Sequence, residues 1–142
     1  MNKWRYFLLS LFIITPIISK QVGEGYDDVL HTIEKQGFEN LQIKMENSHI
    51  KIAYENRVYR SEMSAMGSIL TTILNSDIAD SVSLTPMNKM LPLTEIGVNL
   101  DDFSSFLKGN TDNTTFPSQI SVNMDHGDWN ELENIPMLNP SS

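Results

Sequence analysis

The chain has 142 residues, a net charge of −8 with His neutral, 40% hydrophobic residues and no cysteine. That length holds one modest domain with a single hydrophobic core. The acidic balance argues against nucleic acid or anionic lipid as a partner, since phosphates need a basic surface. The lack of Cys excludes disulfides, thiolate metal sites, a Cys nucleophile and lipid attachment at an N-terminal Cys.

Met1 to Ser19 reads as an export signal. Lys3 and Arg5 form a positive start, and Phe7 to Ile18 is an apolar run broken by Ser10, Thr15 and Pro16. Ser19 is a small residue at which a signal peptidase could cut, although Ile17 and Lys20 are imperfect flanks. The run is short for a membrane span, and no stop-transfer segment follows it. Its removal leaves 123 residues and, with Lys3 and Arg5 gone, takes the net charge from −8 to −10. An exported protein without Cys folds equally well in an oxidising compartment.

Tyr26, Val29, Leu30 and Ile33 recur at helical spacing, and Gly37 is placed to end that helix. Leu41, Ile43 and Met45 alternate with polar residues, as do Ile50, Ile52 and Tyr54 with Lys51 and Ala53, and Glu46-Asn47-Ser48 has turn chemistry. This predicts a β-hairpin. A second helix is expected from about Ser61, its N-cap, with Met63, Met66, Ile69, Leu70, Ile73 and Leu74 as its apolar stripe and Asn75-Ser76-Asp77 as its end. Val82 and Leu84 start another strand. Met87-Asn88-Lys89, between Pro86 and Pro92, reads as a turn. Ile96, Val98 and Leu100 alternate in a fourth strand, after which Asp101 or Asp102 caps a short helix bearing Phe103, Phe106 and Leu107.

The expected fold is therefore α+β, in the order α-β-β-α-β-β-α, with short helices on one face of a small, mainly antiparallel sheet. The two αββ units read as a loose internal duplication. The divisions are a signal at 1–19, an α+β domain at 20–108, and a polar linker with an irregular acidic tail at 109–142. Asn110 to Thr115 contains no apolar residue. Ile120, Val122 and Met124 form one further candidate strand, which needs a pairing partner. Trp129, Leu132, Ile135 and Leu138 are scattered among acids and prolines and cannot build a core of their own.

Catalytic patterns are sparse. His31, His49 and His126 lack ligand partners at metal-site spacing and read as surface histidines. Asp125 to Glu133 is acidic but lacks the ligand spacing of a calcium loop. Ser61, Ser64 and Ser68 share a helix face without a visible base. Gly23-x-Gly25 does not lie between a strand and a helix, so it is no phosphate loop. Asp27-Asp28 and Asp101-Asp102 sit at helix starts, where they suit the helix dipole. The eight Met residues fall mostly at core positions. No cofactor and no metal are expected.

The densest constellation is Tyr54, Glu55, Asn56, Arg57, Val58, Tyr59 and Arg60, which joins the hairpin to the second helix. Two Arg, a Glu and two Tyr in seven residues either fix the strand-to-helix corner through ion pairs and hydrogen bonds, or form a docking surface for a partner or a polysaccharide.

Together with Gly37-Phe38-Glu39-Asn40-Leu41, this stretch resembles the YjbH family of exported exopolysaccharide-biosynthesis proteins, which includes the GfcD capsule proteins. The helix with Ala65, Met66 and Gly67 follows as in that family. Trp129 to Ser142 resembles the lead-in to the family's next segment. The resemblance implies small α/β periplasmic domains attached to an outer-membrane β-barrel that helps secrete exopolysaccharide, and it implies no catalytic residues. The sequence departs from it in lacking barrel strands. That leaves a stand-alone periplasmic domain, a paralogue working beside a barrel, or a truncated gene product.

The functional expectation is a non-enzymatic accessory domain, periplasmic or outer-membrane-associated, linked to exopolysaccharide biosynthesis or export. Its partner would be an outer-membrane barrel, another envelope protein or the polysaccharide, with no membrane span after signal cleavage. A general protein–protein interaction module of a secretion assembly fits the same pattern. A glycan hydrolase would need two carboxylates across a cleft, and no spacing singles out such a pair.

Overall fold

A computed structural model describes residues 22–124. Residues 1–19, the expected export signal, His126 and the acidic stretch from Asp125 lie outside them. Helix α1 (Val22–Lys35) turns Val29 and Ile33 fully inward and rests Tyr26 and Leu30 on the same core. Gly37 follows at φ +89° and donates its N–H to the Glu34 carbonyl at 2.9 Å. Glycine takes that left-handed helix-ending conformation without the steric cost of a Cβ.

Strands β1 (Glu39–Glu46) and β2 (His49–Glu55) form the expected hairpin around Asn47-Ser48. Helix α2 (Glu62–Ser76) starts at Ser61, whose hydroxyl accepts from the Ser64 N–H at 3.2 Å, and closes at Asp77 in the left-handed region. Strand β3 (Ser81–Asn88) then runs parallel to β2. The β2-α2-β3 unit is thus a crossover, since a helix between two neighbouring strands returns the chain to the end from which it left.

The next reversal falls at Lys89-Met90, both at positive φ, while Met87 and Asn88 still belong to β3. This two-residue loop leads to β4 (Leu91–Pro92), which pairs with β3. After β5 (Glu95–Asn99) comes α3 (Leu100–Leu107). Its cap is Asn99 and not Asp101 or Asp102: the Asn99 side-chain oxygen accepts from both aspartate N–H groups at 2.9 and 3.3 Å. The two carboxylates lie one step further in, where they still meet the positive end of the helix. Leu100, expected at the end of the strand, opens this helix and is buried.

The sheet order is β1-β2-β3-β5-β6, with β4 also on β3; β6 (Ser121–Asn123) adds antiparallel to β5. Among the described residues only the β2–β3 pairing is parallel, so the α+β fold has a mixed, mainly antiparallel sheet. Register sorts the two faces. Ile43, Ile52, Leu84, Ile96 and Val122 line up across five strands, and Met45, Ile50, Val82 and Val98 form the next row. These rows face the helices, and all but the exposed Val122 belong to or pack on one core. The alternate row, Lys44, Lys51, Ser83, Gly97 and Ser121, belongs to the other face. A slip of one residue in any pairing would exchange the two sets.

The segment that composition sets apart after residue 108 returns to this core. Asp112 accepts from the Thr114 hydroxyl at 2.8 Å and from the N–H groups of Thr114 and Thr115 at 3.0 and 2.6 Å. The Thr114 hydroxyl, followed by Thr115 and the backbone donors, holds the Asp112 carboxyl at about 2, below its ordinary 3.8. The turn so formed delivers a short 3-10 helix (Phe116–Gln119). Phe116 is buried, stacks on Phe106 at 4.6 Å and meets Phe103 at 6.0 Å. The candidate strand around Val122 finds its partner in β5.

Phe116→Ala should therefore destabilise the fold by about 3 kcal/mol, the usual scale for a buried Phe truncation. Urea unfolding checks the value. Amide exchange should show β6 opening first, because Phe116 is what anchors the segment that carries it.

Candidate functional site

Three features could carry function: the corner at 54–60, the polar sheet face, and an apolar groove. The corner begins with Tyr54, fully buried, whose hydroxyl donates to Glu62 Oε1 at 2.6 Å. Burial first, and then the Glu62 carboxylate, push the Tyr54 pKa well above its ordinary value. Asn56 closes the turn: its side chain accepts from the Tyr59 N–H at 2.9 Å and donates to the Tyr59 carbonyl and to Glu62 Oε2 at 3.1 and 3.3 Å. The Tyr59 ring stacks on Phe38 at 5.4 Å, and Phe38 meets Tyr54 edge-on at 5.3 Å. The Tyr59 hydroxyl bonds Ser68 at 2.8 Å; Ser68 donates to Gln36, and Gln36 to Thr72.

Glu55 is only 4% exposed. Its Oε2 accepts from Asn40 at 2.9 Å and Arg57 at 3.2 Å, and its Oε1 from the Met90 N–H at 2.7 Å. Burial works to raise its pKa. The Met90, Arg57 and Asn40 donors outweigh that and hold the carboxyl below its ordinary value. Arg57 also reaches Glu39 at 2.8 Å. Residues 37–41 and 54–60, far apart in the chain, are thus one network. Tyr54, Glu55, Asn56, Arg57 and Tyr59 fix the corner, and Arg60 stands exposed beside it.

On the sheet's polar face, His49 lies between two serines, Nδ1 to Ser81 at 2.7 Å and Nε2 to Ser83 at 3.1 Å. Ser83 donates to Glu95 at 3.2 Å. Since Ser83 gives its proton to the carboxylate, it accepts from the ring at Nε2. This half-buried His49 is not the free surface residue its place in the sequence suggested; it stitches β2, β3 and β5 together. His31 is exposed, 3.6 Å from Glu34. Ser61, Ser64 and Ser68 divide between the α2 cap and the Tyr59 network. Among the described residues no His, Asp or Glu cluster is placed to hold a metal ion, and no helix is long and apolar enough to cross a membrane.

The third feature is a groove of about 700 Å³ between α2, α3 and the 3-10 helix with β6. Its floor is Leu84, Ile96 and Val98; Met66 and Leu70 form one wall, Phe103 and Phe106 the other, and Phe116, Ile120 and Val122 close the end. Polar lining is limited to the side chains of Thr71 and Asn113. Met63 at the rim is 70% exposed and Val122 62%. Gly67 opens the α2 wall, since a Cβ there would meet nothing within 4 Å. The volume is that of a small-ligand or side-chain pocket, and the lining can recognise apolar groups only. The sequence reading placed Met63 and Met66 in the core stripe. Their signal was an apolar stripe wider than one helix needs to bury, with a glycine beside it.

Two substitutions test the corner. Tyr54→Phe keeps the ring packing and removes a bond to a carboxylate, so it should cost about 2 kcal/mol. Glu55→Gln should cost about 1–3 kcal/mol at pH 7. Because the folded pKa of Glu55 lies below its unfolded one, the charged tie is fully present above the unfolded value near 4.3 and is lost as pH falls through the folded one. Wild-type stability, measured by urea unfolding across pH 7 to 2, should drop below pH 4 more steeply than that of Glu55→Gln.

Comparison with protein-family models, curated proteins and solved structures finds no match to this chain.

Proposed function

We propose that this protein is a non-catalytic accessory domain that works by docking an apolar polypeptide segment in the groove between α2 and α3. The observation that carries the reading is the groove itself: an open apolar cavity of about 700 Å³ in a 142-residue chain. Apolar surface left exposed in one patch, with Met63, Leu107 and Val122 around it, costs solubility and is characteristic of interaction sites. An apolar side chain entering there gains burial, whereas a sugar would lose hydrogen bonds to water without replacing them. The groove therefore favours a protein partner over the polysaccharide itself.

The setting rests on the sequence. The leader-like Met1 to Ser19 supports export, and the resemblance at residues 37–41 and 54–60 supports a link to exopolysaccharide biosynthesis or export. In that setting the partner is an outer-membrane barrel or another envelope protein. Because the residues carrying the resemblance are bonded to one another at the corner, they serve the scaffold. Docking falls to the groove.

The test uses the native host. Gly67→Phe fills the groove and Met63→Asp charges its rim, while Lys51→Glu alters the opposite sheet face. Both groove variants should fold, by circular dichroism, yet lower secreted exopolysaccharide as far as deletion of the gene does, with Lys51→Glu unaffected. Normal secretion from the deletion strain would end the export reading, and normal secretion from folded groove variants alone would end the docking reading.

A further inference from the structure

We infer that the end of the sheet where β2 and β3 finish is a tip that docks on a lipid surface. Val58, Met90, Leu91 and Leu93 enter the interfacial layer, and Lys35, Arg60 and Lys89 meet anionic headgroups. The inference goes beyond the groove, which it leaves to a polypeptide partner.

Exposed apolar side chains are the first argument. Val58, Met90, Leu91 and Leu93 are 62%, 45%, 69% and 54% exposed, and none of them lines the groove. The parallel strands end side by side, with Tyr54 opposite Pro86. The segments that leave them meet on one carboxylate: Glu55 accepts from the Met90 N–H through one oxygen and from Arg57 through the other. Val58 and the run from Met90 to Leu93 therefore share one end of the fold. Lys89 and Met90 also hold positive φ, 50° and 64°. A two-residue hairpin loop takes those angles most readily with Asn-Gly. Here a Lys and a Met stand there at a steric cost, both exposed. Strained positions of this kind collect at functional loops.

Charge is the second argument. The net charge of −8 opposes an anionic surface for the molecule as a whole. The acids are not spread evenly, however. At the tip end the carboxylates are bonded within the protein: Glu39 to Arg57, Glu55 to its three donors, Glu62 to Tyr54 and Asn56, and Glu95 to Ser83. Lys35, Arg60 and Lys89 stand exposed there. Lys35 closes α1 two residues before Gly37, which lies so near Val58 that a Cβ would collide with it. Exposed Asp77, Asp80 and Asp101 gather at the opposite end, where the Asp80 N–H bonds the Ser48 carbonyl of the hairpin turn and the Leu100 N–H bonds the Asp80 carbonyl. Such a distribution turns the apolar end toward an anionic surface. Aliphatic side chains among Lys and Arg suit the boundary of headgroups and acyl chains, where apolar groups are buried and cations stay at the phosphates. A protein interface would favour aromatic anchors. The aromatics of this corner, Phe38, Tyr54 and Tyr59, instead pack on one another.

The absence of Cys makes the test direct. In the full chain, Asn88→Cys at the tip and Asp80→Cys at the acidic end each carry a polarity-sensitive fluorophore. With vesicles of phosphatidylcholine and phosphatidylglycerol in equal parts, the label at position 88 should shift to the blue and the label at position 80 should not. Leu91→Asp should abolish the shift. Arg60→Gln and Lys89→Gln should each raise the lipid concentration at half-shift about five-fold, the scale of one charge at an anionic surface, with folding checked by circular dichroism. Gly67→Phe should leave the shift unchanged, so the groove and the tip stand or fall separately. Binding through the leader-like start alone would leave both labels unshifted and would overturn the inference. An equal shift on phosphatidylcholine alone would overturn the role of the cations. A label at position 88 that responds to solubilised envelope proteins and to neither vesicle would overturn it in favour of a protein partner.

Discussion

The buried carboxylate of Glu55 is the constraint on which the rest of this fold depends. A charge removed from water costs several kcal/mol unless every lone pair finds a donor. Here the donors come from three places: Asn40 in the irregular start of β1, Arg57 in the corner, and the Met90 N–H in the turn after β3. Asn40 and Met90 both have positive φ, a conformation that costs a non-glycine residue about 1–2 kcal/mol. The carboxylate therefore holds two strained positions on either side of the parallel pair. The same residue sets where β2 stops and where β3 turns back. The neighbouring Tyr54–Glu62 bond then sets where α2 begins.

From that corner the layout of the helices follows, and with it the groove. The crossover lays α2 over β3, where α1 packs beside it. The far side of the sheet is left to α3, a helix of eight residues. At 1.5 Å per residue it is about 12 Å long, too short to cover β5 and β6 as α2 covers β3. Phe116 closes one end of the gap, and Gly67 keeps the α2 wall thin. At the floor Ile96 is half-buried, while Leu84 and Val98 are sealed like the residues under α1 and α2.

The opposite face of the sheet serves a different end. His49, Ser81, Ser83 and Glu95 form a directed chain of hydrogen bonds across three strands. It satisfies polar side chains on the face that none of the described helices covers and adds cross-strand ties there. Among the described residues the groove is the apolar surface with a cavity behind it, while Leu91 and Leu93 stand exposed elsewhere.

The sequence by itself determined the local elements. Gly37, Asn47, Ser61 and Asp77 mark ends that backbone chemistry dictates residue by residue, and the alternation around Ile43, Ile52 and Ile96 fixes which side chains share a face. It also singled out residues 54–60 as a corner or a surface, because charges and aromatics that dense need partners. It could not choose between those readings, nor see that Glu55 is buried, since its donors at positions 40 and 90 are brought to it only by folding. Only the tertiary structure decided that β2 and β3 run parallel, that Asn99 and not an aspartate caps α3, and that Phe116 returns the polar segment to the core. The groove belongs to the same class. An apolar residue in a helical stripe looks alike whether it is sealed or open, and Met63 is left exposed while Met66, in the same stripe, packs partly on the core.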